Sequence, residues 1–125
     1  MTGSRRRQTI LIVEDDDDSR ELMDAYFEDA GYHVLCATSA EEALHVLGAE
    51  RDVDLLLTDY NFPGSNGGSL IRSARGLGLV KADTPVLMCT AHCYAHPPPN
   101  VTLLHKPIDP YVLLGIVEKA LAGAA

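Results

Sequence analysis

Asp59 closes the apolar run Leu55-Leu56-Leu57-Thr58 and precedes a turn-forming stretch, Asn61 to Gly68. A carboxylate so placed is a candidate nucleophile if its neighbours restrain its charge. Such neighbours occur at the ends of the other apolar runs. Glu14 and Asp15 follow Ile10-Leu11-Ile12-Val13, Thr90 follows Val86-Leu87-Met88-Cys89, and Lys106 follows Val101 to His105. Crowded carboxylates repel one another unless a cation sits among them. Oxygen ligands with open coordination positions suit Mg2+. The Lys106 ammonium can hold an anionic group arriving at Asp59, and the Thr90 hydroxyl can donate a hydrogen bond to it. A carboxylate nucleophile with a metal, an ammonium and a hydroxyl around it meets the needs of phosphoryl transfer. Singly, each residue has a plainer reading: a strand-end threonine, a surface lysine, a helix cap. For Asp16, Asp17 and Asp18 the cap or solvated-loop reading is preferred.

These residues converge only if the elements before them form one sheet. Thr9–Val13, His33–Ala37, Val53–Thr58, Thr84–Thr90 and Val101–His105 read as strands, the first and fourth as buried ones. Helical spacing joins Leu22, Met23, Tyr26, Phe27 and Ala30, with Gly31 as the stop. Ser39 and Glu42 form a capping box before Ala43, Leu44 and Leu47, with Gly48 as the end of that helix. A third helix is expected from about Ser69 to Arg75. Asp109-Pro110 opens a last helix whose apolar face is Val112, Leu113, Ile116, Val117 and Leu121. Pro97-Pro98-Pro99 excludes a regular helix between the last two strands. The fold class is α/β: one doubly wound, five-stranded parallel sheet with helices on both faces. In such sheets ligands gather at the carboxyl ends of the strands, where the candidate residues fall.

Five motif elements in order resemble the response-regulator receiver domain of two-component signalling, over about Thr9 to Leu121. They are the acidic pair Glu14-Asp15, the segment Asp54 to Gly64 around Asp59, Asn66-Gly67, Thr90-Ala91 and Lys106-Pro107. The resemblance implies a flavodoxin-like (β-α)5 fold and a phosphorelay function. A histidine kinase or histidine phosphotransfer protein would phosphorylate Asp59, with Thr90 and Lys106 binding the phosphoryl oxygens. Mg2+ would be held by Asp15, Asp59 and the backbone carbonyl of Asn61, with Glu14 acting through water. The amides of Asn61 and Ala91 would be further donors, and Asn61 and His92 would flank the phosphoryl group and tune hydrolysis. The chain departs from the family where the switch aromatic usually stands, which here is Leu103. The stretch that usually forms a fourth helix is shortened and rich in proline, as in compact receivers lacking both features. Tyr94 is a candidate substitute for the missing ring.

The chain has 125 residues, 46% hydrophobic and 22% charged, which fits one soluble domain. The domain is expected over 9–122, with a disordered basic end over 1–8 and a tail over 123–125. A net charge of -8 argues against direct nucleic-acid binding. No apolar run approaches the roughly 18 residues of a membrane span, and the expected location is the cytoplasm. Cys36, Cys89 and Cys93 read as free thiols, not as a zinc site with His92 and His96. The expected function is a single-domain regulator, or a receiver excised from a longer protein, that promotes only its own phosphorylation and dephosphorylation and is otherwise no enzyme. Its downstream protein target is open. The alternative is a haloacid-dehalogenase-like phosphohydrolase, since Asp15-Asp16-Asp17 contains its Asp-x-Asp spacing. A flavin-binding role is disfavoured, because acids stand where a phosphate-cradling loop would have to be.

Overall fold

The computed structural model describes residues 7–50, 52–62, 64–91 and 96–124. The five long strands are β1 (Thr9–Val13), β2 (His33–Ala37), β3 (Leu55–Asp59), β6 (Val86–Thr90) and β7 (Thr102–His105). Two short strands, β4 (Asn61–Phe62) and β5 (Ser65–Asn66), form a small antiparallel hairpin after β3. The helices are α1 (Asp17–Asp29), α2 (Ala40–Ala49), α3 (Gly67–Gly76) and α4 (Pro110–Ala124). The main sheet has the order β2-β1-β3-β6-β7, with every pair parallel. The expected α/β class and doubly wound arrangement are therefore present.

Strand alternation sends successive side chains to opposite faces, and both faces are dry. Leu11, Val13, Leu56 and Met88 join the layer packed by α2 and α3. Ile10, Ile12, Leu57 and Leu87 meet Phe27 of α1 and Leu113, Val117 and Leu121 of α4 on the other side. Burying each such side chain contributes roughly 1.5–3 kcal/mol before the entropy of ordering is counted. The central strands β1, β3 and β6 are buried along their whole length, which is why they are unbroken apolar runs.

Caps decide where the helices start. The Asp16 carboxylate accepts from the Ser19 N–H at 2.8 Å, so α1 begins at Asp17 and two of the run of acids lie in its first turn. In the capping box of α2, Ser39 accepts from the Glu42 N–H at 3.1 Å. Glu42 reaches back to the N–H of Thr38 rather than of Ser39. Gly48 lies inside that helix, which runs on to Ala49. Asn66 caps α3 by accepting from the Ser69 N–H at 2.8 Å, so this helix starts at Gly67, two residues before the expected Ser69. Asp109 caps α4 through the N–H groups of Tyr111 and Val112.

Strand β3 starts at Leu55, not Val53, because Asp54 is used as a clamp: its N–H donates to the Thr9 carbonyl and its carboxylate accepts from the Thr9 N–H. Val112 is 56% exposed, contrary to its place in the expected apolar face of α4. The seam of that helix is Leu113, Val117 and Leu121, four residues apart, and Val112 lies about 100° round from it.

Among the described residues no helix connects β6 to β7. Arg75 at the end of α3 donates to the carbonyls of Pro99 at 2.6 Å and Asn100 at 3.3 Å. Pro98 is buried, and Leu103 packs partly against the layer formed with α2 and α3. The proline-rich stretch and Leu103 thus line the flank where a fourth helix was expected to be reduced or missing.

Candidate functional site

Parallel pairing sets the depth of each functional residue. Asp59 is level with Cys89, and Thr90 with His105. The Tyr60 N–H continues the ladder by donating to the Cys89 carbonyl at 2.8 Å, and the Lys106 N–H donates to the Thr90 carbonyl at 2.7 Å. Three adjacent strands therefore end at one edge with their chemistry aligned. The peptide joining Lys106 to Pro107 is cis.

The result is one compact site. A carboxylate oxygen from each of Glu14, Asp15 and Asp59 lies within 4.8 Å of the others. Lys106 Nζ stands 2.7 Å from Asp59 Oδ1 and 3.5 Å from Glu14 Oε1. Glu14, Asp59 and Thr90 are buried, whereas Asp15 is exposed. The Asp16 N–H donates to Glu14 Oε2 at 3.2 Å and fixes that carboxylate. Asn61 lies on β4 and Ala91 directly after β6, both exposed. His92, Cys93 and Tyr94 lie outside the described residues.

Burial pushes Asp59 up to about 8, and the adjoining Glu14 carboxylate adds to the rise against the pull of Lys106. Burial also works to raise Glu14, but hydrogen bonds from Asp59 and the Asp16 N–H, with Lys106 nearby, hold it below the ordinary range. The pair therefore takes up its second negative charge reluctantly, as like charges in a desolvated site must. Lys106 stays above the ordinary lysine value: burial depresses it, and Asp59 and Glu14 more than offset that. Cys89 behind Asp59 is a free thiol pushed up to about 12 by burial.

Because Asp59 is raised above its ordinary 3.8, its contribution to the stability of the metal-free fold is full below that value. It is lost as pH rises through about 8. The melting temperature of metal-free protein should fall between roughly pH 4 and 8, and Asp59→Asn should flatten the fall. Identical profiles for the two proteins would contradict this charge arrangement.

The donor set fits a small, hard divalent cation: oxygen ligands only, on converging strand ends, with one carboxylate facing solvent. A cavity of about 400 Å³ opens beside the site, lined by Met23, Leu57, Cys89, Ile108 and Leu113 as well as by Asp59 and Lys106. Leu22, expected on the buried stripe of α1, is instead 50% exposed at the rim of this cavity.

The response regulator receiver domain profile matches residues 10–118. The chain belongs to the response regulator receiver family. It is 36% identical over 75 residues to transcriptional regulatory protein AruR of Pseudomonas aeruginosa, covering 57% of this chain and 29% of that protein. The chain thus spans less than a third of that curated relative. The receiver domain of the hybrid histidine kinase CckA is 34% identical with a TM-score of 0.78, covering 90% of this chain and 98% of that one. Chemotaxis protein CheY4 of Vibrio cholerae is 27% identical with a TM-score of 0.81, covering 92% and 99%. The five-stranded flavodoxin-like architecture is that of CheY-like receivers, and the phosphohydrolase alternative has no support in these likenesses. No helix among the described residues is long and apolar enough to cross a membrane.

Gly67, read from the sequence only as half of the Asn66-Gly67 motif, also bears directly on the site. Gly67 lies against the end of β3: a Cβ there would stand 2.3 Å from the Asp59 carbonyl oxygen. Its N–H donates to the Tyr60 carbonyl at 2.6 Å. The signal was Asn66 followed by Gly67 and Gly68, a cap leading into residues without side chains.

Proposed function

We propose that this receiver takes a phosphoryl group onto Asp59 from the phosphohistidine of a histidine kinase or phosphotransfer protein, and so works in a phosphorelay. The observation that carries this reading is the Lys106 ammonium 2.7 Å from Asp59 Oδ1, in a pocket that also gathers Glu14 and Asp15. An Asp59 oxygen forms the bond to phosphorus, the phosphorus–nitrogen bond breaks, and the imidazole nitrogen keeps the electron pair. Lys106 moves from pairing with Asp59 to pairing with the phosphoryl oxygens. The Thr90 hydroxyl and the amides of Asn61 and Ala91 donate to the same oxygens. Glu14, Asp15, Asp59 and the Asn61 carbonyl would hold Mg2+, which when bound supplies charge neutralisation for that group. Water later cleaves the acyl phosphate, with Asn61 and His92 tuning the rate.

The donor is proposed to approach over the cavity between α1 and α4. Exposed Leu22 and Tyr111 offer apolar contact there, and Asp18, Glu21 and Asp109 supply negative charge around them. The downstream target is a protein and the setting is the cytoplasm.

Self-labelling separates this reading from a hydrolase. With a small phosphodonor and Mg2+, the chain should take up one phosphoryl group per molecule and release no phosphate from simple phosphomonoesters. Catalytic turnover of such esters would overturn the proposal.

A further inference from the structure

Arg20 is a largely buried cation beside the acidic strand end. It lies on α1, six residues after Glu14, and its side chain is only 15% exposed. Nη1 donates to the backbone carbonyl of Glu14 at 3.0 Å, and Nη2 donates to Asp17 Oδ1 at 2.5 Å. Its own N–H donates to the Asp16 carbonyl at 3.0 Å. One guanidinium therefore brackets the connection from β1 to α1, where Glu14 and Asp15 stand.

That connection needs a bracket. Glu14 to Asp18 are five consecutive acids, and their mutual repulsion favours splaying the turn. The Glu14 N–H is already committed to the Ala37 carbonyl at 3.0 Å, which fixes one side of that residue. Arg20 fixes the other side through the carbonyl, which belongs to the peptide joining Glu14 to Asp15, so Glu14 is held on both of its backbone sides. The direction of that peptide decides whether the Glu14 and Asp15 carboxylates converge on Asp59. A planar guanidinium can bond a carbonyl and a carboxylate at once with its fixed fork of donors, whereas an ammonium presents a single point charge. Arg20 makes no contact with Asp59 or Lys106 among the bonds described, so its effect on the site is indirect.

We propose that Arg20 is a positioning residue for the divalent-cation site: it locks the Glu14–Asp15 peptide so that the carboxylates are prearranged for a metal ion. This rests on the reading that the acidic cluster binds Mg2+. The role is distinct from general support of the fold, because it predicts a loss in metal affinity that is not explained by a loss in stability.

Calorimetric titration of the full chain with Mg2+ tests this, on wild type, Arg20→Met, Arg20→Lys and Arg72→Met. Arg72 is exposed on α3, so its replacement removes one positive charge without touching the bracket. Arg20→Met should bind Mg2+ about tenfold more weakly, since a misplaced ligand shell costs 10- to 100-fold. Arg20→Lys, with the charge restored but the fork lost, should remain at least about fivefold weak. Arg72→Met should stay near wild type. Circular dichroism and melting of the metal-free proteins give the separate structural readout. Wild-type affinity in Arg20→Lys would overturn the positioning role, and would do so even if Arg20→Met did not fold. Wild-type affinity in a folded Arg20→Met would overturn it too. An equal loss in Arg72→Met would assign the effect to net charge and likewise overturn it. Failure of wild type to bind Mg2+ at all would remove the metal reading on which the inference stands.

Discussion

Lys106→Met is expected to slow phosphorylation of Asp59 by a small phosphodonor about a hundredfold, in line with loss of one preorganised charge donor at a transferring group. The geometry explains the size of the effect. Lys106 Nζ is 2.7 Å from the oxygen that would attack, and its charge is kept by Asp59 and Glu14 despite burial. A phosphoryl group on Asp59 brings new negative charge into a site that already resists a second carboxylate charge. Methionine keeps the packing of the stem and removes the ammonium. Metal binding should move the other way: without a competing cation beside Asp59, Mg2+ affinity should equal or exceed that of wild type. Stopped labelling measured alongside Mg2+ titration checks both. Labelling within a few-fold of wild type, or Mg2+ binding lost together with labelling, would contradict the role given to Lys106.

Gly67→Ala is expected to cost about 3 kcal/mol or more, because its Cβ would meet a backbone carbonyl that cannot rotate away. At 2.3 Å from the Asp59 oxygen, the added carbon sits well inside contact distance, and Met88 at 3.2 Å closes another exit. Relief requires moving either the start of α3 or the end of β3. The second choice displaces Asp59 relative to Lys106, whose position is held separately by the Thr90 carbonyl. The melting temperature should drop on the order of 10 °C, and labelling of the surviving folded protein should fall as well. Gly68→Ala is a useful comparison: its nearest neighbours are the Asn66 side chain and the flexible end of Arg72, which can yield. Equal stability of the two variants would show that the close approach at Gly67 is not a constraint.

Much of this was legible in the residues. Strands buried on both faces must be apolar throughout, so β1, β3 and β6 stand out, and the polar residues that end them stand out equally. Glu14, Asp15, Asp59, Thr90 and Lys106 were found in this way, and the structure brings their strand ends together. What periodicity cannot show is the angular width of a helix seam. Leu22 and Val112 lie next to seam residues in sequence yet face the rim of the cavity or solvent, so both were misassigned to buried faces. The start of α3 was displaced for a related reason. Asn66 is a capping residue embedded in a stretch read as a turn, and the cap sets the first turn regardless of where apolar spacing begins, whereas Asp16 takes the capping role preferred for it from the sequence. Gly67 was legible only as half of the Asn66-Gly67 motif, and Arg20 not at all, because their importance lies in close backbone contacts that no residue pattern spells out. The path by which phosphorylation would be transmitted with Leu103 in place of an aromatic falls partly on residues 92–95, outside those described.

The central claim is that Asp59 itself becomes phosphorylated. Intact-mass spectrometry after incubation with a small phosphodonor and Mg2+, on wild type and Asp59→Asn side by side, tests it most directly. Wild type should gain the mass of a single phosphoryl group, and Asp59→Asn should gain none. An unlabelled wild type would contradict the function, and an equally labelled Asp59→Asn would contradict the residue.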